Sequence, residues 1–130
     1  MRRLLLDTQV LLWWRTDDPT LNRAVHEAIA DPANDIFVSA VCIWEIAIKR
    51  ALGRLRAPDH LAATVEAEGL NELPVTFVHA EQAGSLPKLH GDPFDRMLVA
   101  QAQVEGLTLV TADTNILRYP VRTMAARDGA

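Results

Sequence analysis

Leu4-Leu5-Leu6-Asp7-Thr8 is the stretch that decides the fold. Three consecutive large aliphatic side chains leave no polar face for solvent. The run therefore reads as a strand covered on both sides, as in a parallel sheet packed between helices. A carboxylate stops it at once. Leu107-Thr108-Leu109-Val110-Thr111 repeats the pattern near the other end of the chain and delivers Asp113 just past its C-terminal end. Between these two lie Ile36-Phe37-Val38, a second strand, and Leu73 to Val78, a short strand whose Pro74 marks a strand end or a sheet edge. Val121 to Met124 forms a last short strand, and Arg127 to Ala130 read as a loose tail.

Helical patterns fill the gaps. Gln9 to Trp14 turns into a short helix. Leu21, Ala24, Val25, Ala28 and Ile29 recur at helical spacing until Asp31-Pro32. Ser39 caps a helix from about Ala40 to Leu52, with Gly53 past its end. Pro58 and Asp59 open another, with Leu61, Ala62 and Val65 on its apolar side, and a further helix spans about His79 to Leu86. Strands alternating with helices predict an α/β fold: a three-layer α/β/α domain with a short, mostly parallel central sheet.

The most informative helix start is His90-Gly91-Asp92-Pro93-Phe94-Asp95-Arg96. Asp92 suits the N-cap, and Pro93 then falls at the first helical position, where its missing donor does no harm. Asp95 lies three residues after the cap, from where a carboxylate can reach back to the cap's own N–H. The alternative is that Asp95 points into a metal site. Met97, Ala100 and Val104 share the face expected to be buried, and Gly106 stops the helix.

A chain of 130 residues suits one compact domain, residues 1–130, that buries about two-thirds of its unfolded surface. Cys42 is the only cysteine, so no intramolecular disulfide can form, which fits a reducing cytoplasm. It lies in an apolar run and reads as a core residue. The N-terminal apolar run stops at Asp7, short of the roughly 7–15 residues of a signal peptide's core. No stretch reaches the ~18 uncharged apolar residues of a membrane span. The net charge of −4 gives no electrostatic reason to bind nucleic acid, so such binding needs a local basic patch or intervening cations.

Glu45 is surrounded by apolar or small neighbours in Ala40-Val41-Cys42-Ile43-Trp44-Glu45-Ile46-Ala47-Ile48. An isolated buried carboxylate is very unfavourable. Lys49, four residues on, is one partner, but such a helix pair contributes only about 0.2–0.5 kcal/mol. A bound cation compensates better. Asp7 and Asp113, at strand ends, fall on the edge where parallel sheets bind ligands. Together Asp7, Glu45, Asp95 and Asp113 form an acid-only set, the kind that suits hard cations such as Mg²⁺ or Mn²⁺. Without a cation, four like charges in one pocket raise one another's pKa values. The matching chemistry is metal-assisted phosphodiester hydrolysis.

Other residues carry weaker signals. His90 reads as a loop histidine, and Asp92 as a cap rather than a ligand. Trp13, Trp14 and Trp44 could stack bases, but are more often core or interface residues. Lys49, Arg50, Arg54 and Arg56 form either a solvated helix end or a phosphate track toward the acidic pocket.

The chain resembles the PIN-domain ribonucleases, specifically the VapC-type toxins of bacterial toxin–antitoxin pairs. The match is carried by Leu6-Asp7-Thr8, by Ser39 with Trp44-Glu45-Ile46-Ala47-Ile48-Lys49 and Leu52-Gly53, by Asp92 to Ala102, and by Leu109-Val110-Thr111-Ala112-Asp113. The resemblance implies that Asp7, Glu45, Asp95 and Asp113 are the catalytic metal-site acids. It also implies that Thr8 and Thr111 place hydroxyls nearby. Further expectations are cleavage of single-stranded regions of RNA with Mg²⁺ or Mn²⁺, a cognate antitoxin that puts an arginine among the carboxylates, and a homodimer with Trp13 and Trp14 as candidate interface residues. The competing reading is a catalytically silent binding module, which has no physical reason to keep an intact acidic set. A phosphatase of the aspartyl-phosphate type is disfavoured, because Gln9 stands where its second aspartate belongs.

Overall fold

The computed structural model describes residues 1–129. Five strands, β1 (Arg3–Leu6), β2 (Asp35–Ser39), β3 (Asn71–Leu73), β4 (Thr108–Thr111) and β5 (Thr123–Ala125), form one sheet in the order β3-β2-β1-β4-β5. Every pairing is parallel. Six helices flank it: α1 (Thr8–Arg15), α2 (Arg23–Ala30), α3 (Ala40–Ala51), α4 (Leu61–Ala67), α5 (Phe77–Ser85) and α6 (Pro93–Glu105). The leucines of β1 are fully buried, as are Leu109 and Val110 of β4, so the two central strands meet through apolar side chains except at Thr108, opposite Leu4.

The strand order positions the site. From β1 the chain builds outward through β2 to β3, then returns to lay β4 on the opposite side of β1. The direction of winding thus reverses between β1 and β4, and ligands of open parallel sheets bind outside the carboxyl ends at such a switch point. Leu6 stands level with Val110, and the Asp7 N–H continues the ladder to the Val110 carbonyl at 3.1 Å. Asp7 and Asp113 therefore leave neighbouring strands at the same edge.

Several expected boundaries move. The strand placed over Leu73 to Val78 is β3, and it ends where that span begins. Pro74 has no N–H for the ladder, and the Thr76 hydroxyl caps α5 by accepting from the His79 N–H at 3.3 Å. The exposed apolar residues Val75, Phe77 and Val78 produced the strand-like pattern without being buried in a sheet. Helix α4 starts at Leu61 rather than Pro58, because His60 adopts a left-handed φ of 58° and Asp59 pairs with Arg50 instead of capping. On α6 the buried residues are Leu98, Val99, Ala100, Gln101 and Ala102, a full turn enclosed on all sides, whereas Val104 is exposed. Ile116–Arg118 adds a 3₁₀ turn. Of the expected C-terminal tail, Ala130 lies outside the described residues. None of the helices among the described residues is long and apolar enough to cross a membrane.

Candidate active site

Four segments bring acids to one edge of the sheet. Asp7 ends β1 and caps α1, its Oδ1 accepting from the Val10 N–H at 2.8 Å. It is only 5% exposed, and burial pushes its carboxyl up to about 6. The neighbouring charges of Asp113 and Glu45 add to that rise, while hydrogen bonds from Thr111 and Val10 oppose it.

Glu45 sits in the middle of α3 and is likewise buried. Both of its oxygens are engaged: Oε1 accepts from the Thr8 hydroxyl at 2.6 Å, and Oε2 from Lys49 Nζ at 2.6 Å. The helical partner anticipated for Glu45 is therefore present. Its ammonium is held up from the ordinary lysine range, first by that hydrogen bond to Glu45.

Helix α6 supplies two aspartates with different geometry. Asp92 Oδ1 accepts from the N–H groups of Phe94 (2.8 Å) and Asp95 (3.2 Å), the cap expected from spacing. Asp95 does not reach back to the cap. Its Oδ2 meets His90 Nε2 at 2.9 Å, and its side chain is 15% exposed. Burial pushes the Asp95 carboxyl up to about 6, with His90 opposing and Asp92, Asp113 and Glu45 reinforcing. Asp113 follows β4 in a tight turn, where its N–H donates to Thr111 Oγ1 (3.0 Å) and its Oδ1 accepts from the Asn115 N–H (2.8 Å).

All four acids, together with Asp92, line one pocket of about 380 Å³. Its other walls include Leu12, Trp13 and Leu55, and its cations are Lys49 and Arg127. Ligand atoms of His90, Asp95 and Asp113 also lie within 4.8 Å of one another, close enough to share an ion. This oxygen-rich donor set, with two carboxyls driven up by burial and by the neighbouring carboxylates, fits a hard divalent cation.

Two participants escaped the sequence reading. His90, a loop residue on sequence grounds, contacts Asp95; its only sequence signal is a place just before the helix cap. Arg127 reads from sequence as part of a loose tail, and only the register of β5 brings it to the pocket. Arg96, inside the informative motif, is not in the pocket. Its guanidinium donates to the carbonyls of Ala83, Leu86 and Pro87 and to the Tyr119 hydroxyl, tying the end of α5 to α6. Cys42 is buried, and its thiol is pushed up to about 12, chiefly by burial, as suits a core residue.

A parallel α/β sheet with carboxylates gathered at its switch point defines the class of this molecule. More narrowly, the chain belongs to the PIN-domain family, whose model matches residues 4–121. It is 30% identical to Ribonuclease VapC22 of Mycobacterium tuberculosis over 119 residues, 89% of this chain and 91% of that protein. The same fold occurs in VapBC2 from Rickettsia felis, solved bound to a DNA fragment from their promoter, with a TM-score of 0.71 at 17% identity, covering 94% of this chain and 97% of that one. It occurs again in FitAcB from Neisseria gonorrhoeae, with a TM-score of 0.65 at 19% identity, covering 95% and 97%.

Proposed function

We propose that this chain, acting as a single domain, is a divalent-metal-dependent endoribonuclease of the VapC type that cuts single-stranded regions of RNA. The observation that carries this reading is the convergence of Asp7, Glu45, Asp95 and Asp113, from four separate segments, on one pocket at the sheet's switch point. Mg²⁺ or Mn²⁺ is the cofactor that Asp7, Glu45, Asp95 and Asp113 would hold. When bound, such a cation lowers the pKa of attacking water and offsets charge on the phosphate and the departing oxygen.

The chain's own groups prepare that chemistry. Thr8 and Lys49 fix both oxygens of Glu45, so its carboxylate is oriented before any substrate arrives. The His90 ring fixes Asp95 Oδ2 and can hold a proton at Nε2 against it. Thr111 shapes the turn that presents Asp113. The expected products carry a 5′-phosphate and a 3′-hydroxyl.

The reading includes a cognate antitoxin that blocks the pocket, because a carboxylate cluster attracts a guanidinium. This is supported by the kinship to VapC22 and by the toxin–antitoxin complexes that share the fold. It also includes a homodimer. The experiment is cleavage of single-stranded RNA by the purified chain with Mn²⁺ or Mg²⁺, against a chelator control. Metal-dependent cutting supports the reading; a sample that neither cuts RNA nor binds either metal overturns it.

A further inference from the structure

Resting on the nuclease reading, we propose that the same pocket contains a nucleotide subsite beside the carboxylates. In it Arg127 grips a backbone phosphate next to the one cleaved, and the ring face of Trp13 receives a nucleobase.

Two cations line the pocket among the described residues, and they are in different states. Lys49 is committed to Glu45 at 2.6 Å. Arg127 makes no ion pair among the described residues, although carboxylates share its pocket. Its backbone is held close by. The Ala126 N–H donates to the Thr111 carbonyl at 3.0 Å, and the Ala126 carbonyl accepts from the Asn22 N–H at 2.9 Å. The Asn22 side-chain amide also donates to the Ala125 carbonyl at 3.0 Å. Ala126 is fully buried. The guanidinium thus springs from a fixed point across the sheet edge from Asp113, while its head stays exposed. A planar, unpaired guanidinium at the rim of an acid pocket is suited to a phosphate oxygen pair that the carboxylates themselves repel.

The opposite chemistry comes from α1. Gln9, Leu12 and Trp13 all line the pocket, being spaced to share one helix face, and Leu55 adds to the apolar wall. Trp13 packs partly on the core and is half-buried, so its ring is held in place and partly open. A fixed aromatic face beside a phosphate grip is how single strands are held without base pairing. Duplex nucleic acid has no unstacked base to offer such a wall.

The test is fluorescence anisotropy of a labelled short single-stranded RNA with Ca²⁺ in place of Mn²⁺, across a salt series. Arg127→Ala should weaken binding about tenfold and reduce the salt slope by about 0.7, the value of one lost phosphate contact on a single strand. Arg127→Lys should restore most of both. Trp13→Leu, which keeps apolar packing but has no ring, should lose about tenfold with an unchanged salt slope, while Trp13→Phe keeps most of the affinity. Thermal melts establish that each variant is folded. Binding and salt slope indifferent to Arg127, or wild-type protein that binds no RNA, overturn the phosphate grip. Equal binding by Trp13→Leu overturns the base wall. Wild-type cleavage with Mn²⁺, run in parallel, reports on the nuclease reading alone. Arg127-dependent binding without cleavage upholds the subsite against that reading, and cleavage with Arg127-indifferent binding does the reverse.

Discussion

Asp7 and Asp95 are carboxyls held near pH 6 by their surroundings, chiefly burial, and this makes stability depend on pH in an unusual direction. A carboxyl raised above its unfolded value contributes stability that is complete below the unfolded pKa and is lost as pH rises through the folded one. For Asp7, a rise from 3.8 to about 6 corresponds to on the order of 3 kcal/mol. Metal-free protein should therefore melt higher at pH 5 than at pH 8, Asp7→Asn should raise the melt at pH 8, and saturating Mn²⁺ should abolish the difference; calorimetry with and without chelator checks all three. The two aspartates of α6 separate by a paired measurement. Asp92→Ala removes a cap that accepts two N–H groups and should lower stability by about 1 kcal/mol. Asp95→Asn should melt level with wild type or higher in metal-free buffer, yet cut RNA slower by orders of magnitude. An early-melting but active Asp95→Asn beside an inactive Asp92→Ala reverses the two roles. At this scale the acids were legible because a carboxylate among apolar neighbours needs a reason. His90 was not, since a bond spanning five residues of loop and helix start leaves no periodic trace.

Among the elements, the joint between α5 and α6 rests on Arg96. One guanidinium there satisfies three carbonyls and a hydroxyl. Lysine has no planar fork to reach several acceptors at once, so Arg96→Lys should lower stability by about 2–3 kcal/mol. Urea unfolding should show this as a lower midpoint at unchanged slope. Metal titration of the folded variant should match wild type, because Arg96 lies outside the pocket. Long periodic elements such as α3 and α6 could be placed from sequence to within a residue or so, since caps at Ser39 and Asp92 and glycines at 53 and 106 punctuate them. The β3–α5 boundary could not. There a three-residue edge strand, a proline and a Thr76–His79 cap are crowded into nine residues, among which Val75, Phe77 and Val78 are apolar yet exposed.

At the scale of the molecule, alternation of strand and helix announced a parallel sheet, but no run of leucines says which strand it will lie beside. The order β3-β2-β1-β4-β5 emerges only from pairing, and with it both the switch point and the place of Arg127. Light scattering at micromolar concentration should show a homodimer, and a monomer alone rules out a stable one. Trp13 and Trp14, the candidate interface residues, are both partly buried and packed against the core. The placement of β4 between β1 and β5 has a last consequence, for synthesis. The four acids are spread from residue 7 to residue 113, and β1, which can pair with β2 early, lacks its second neighbour until residues 108–111 have been made. A ribosome therefore carries the growing chain as far as Asp113 with the acid set incomplete. On the nuclease reading proposed above, cutting then waits for Asp113, the last of the four acids to be made.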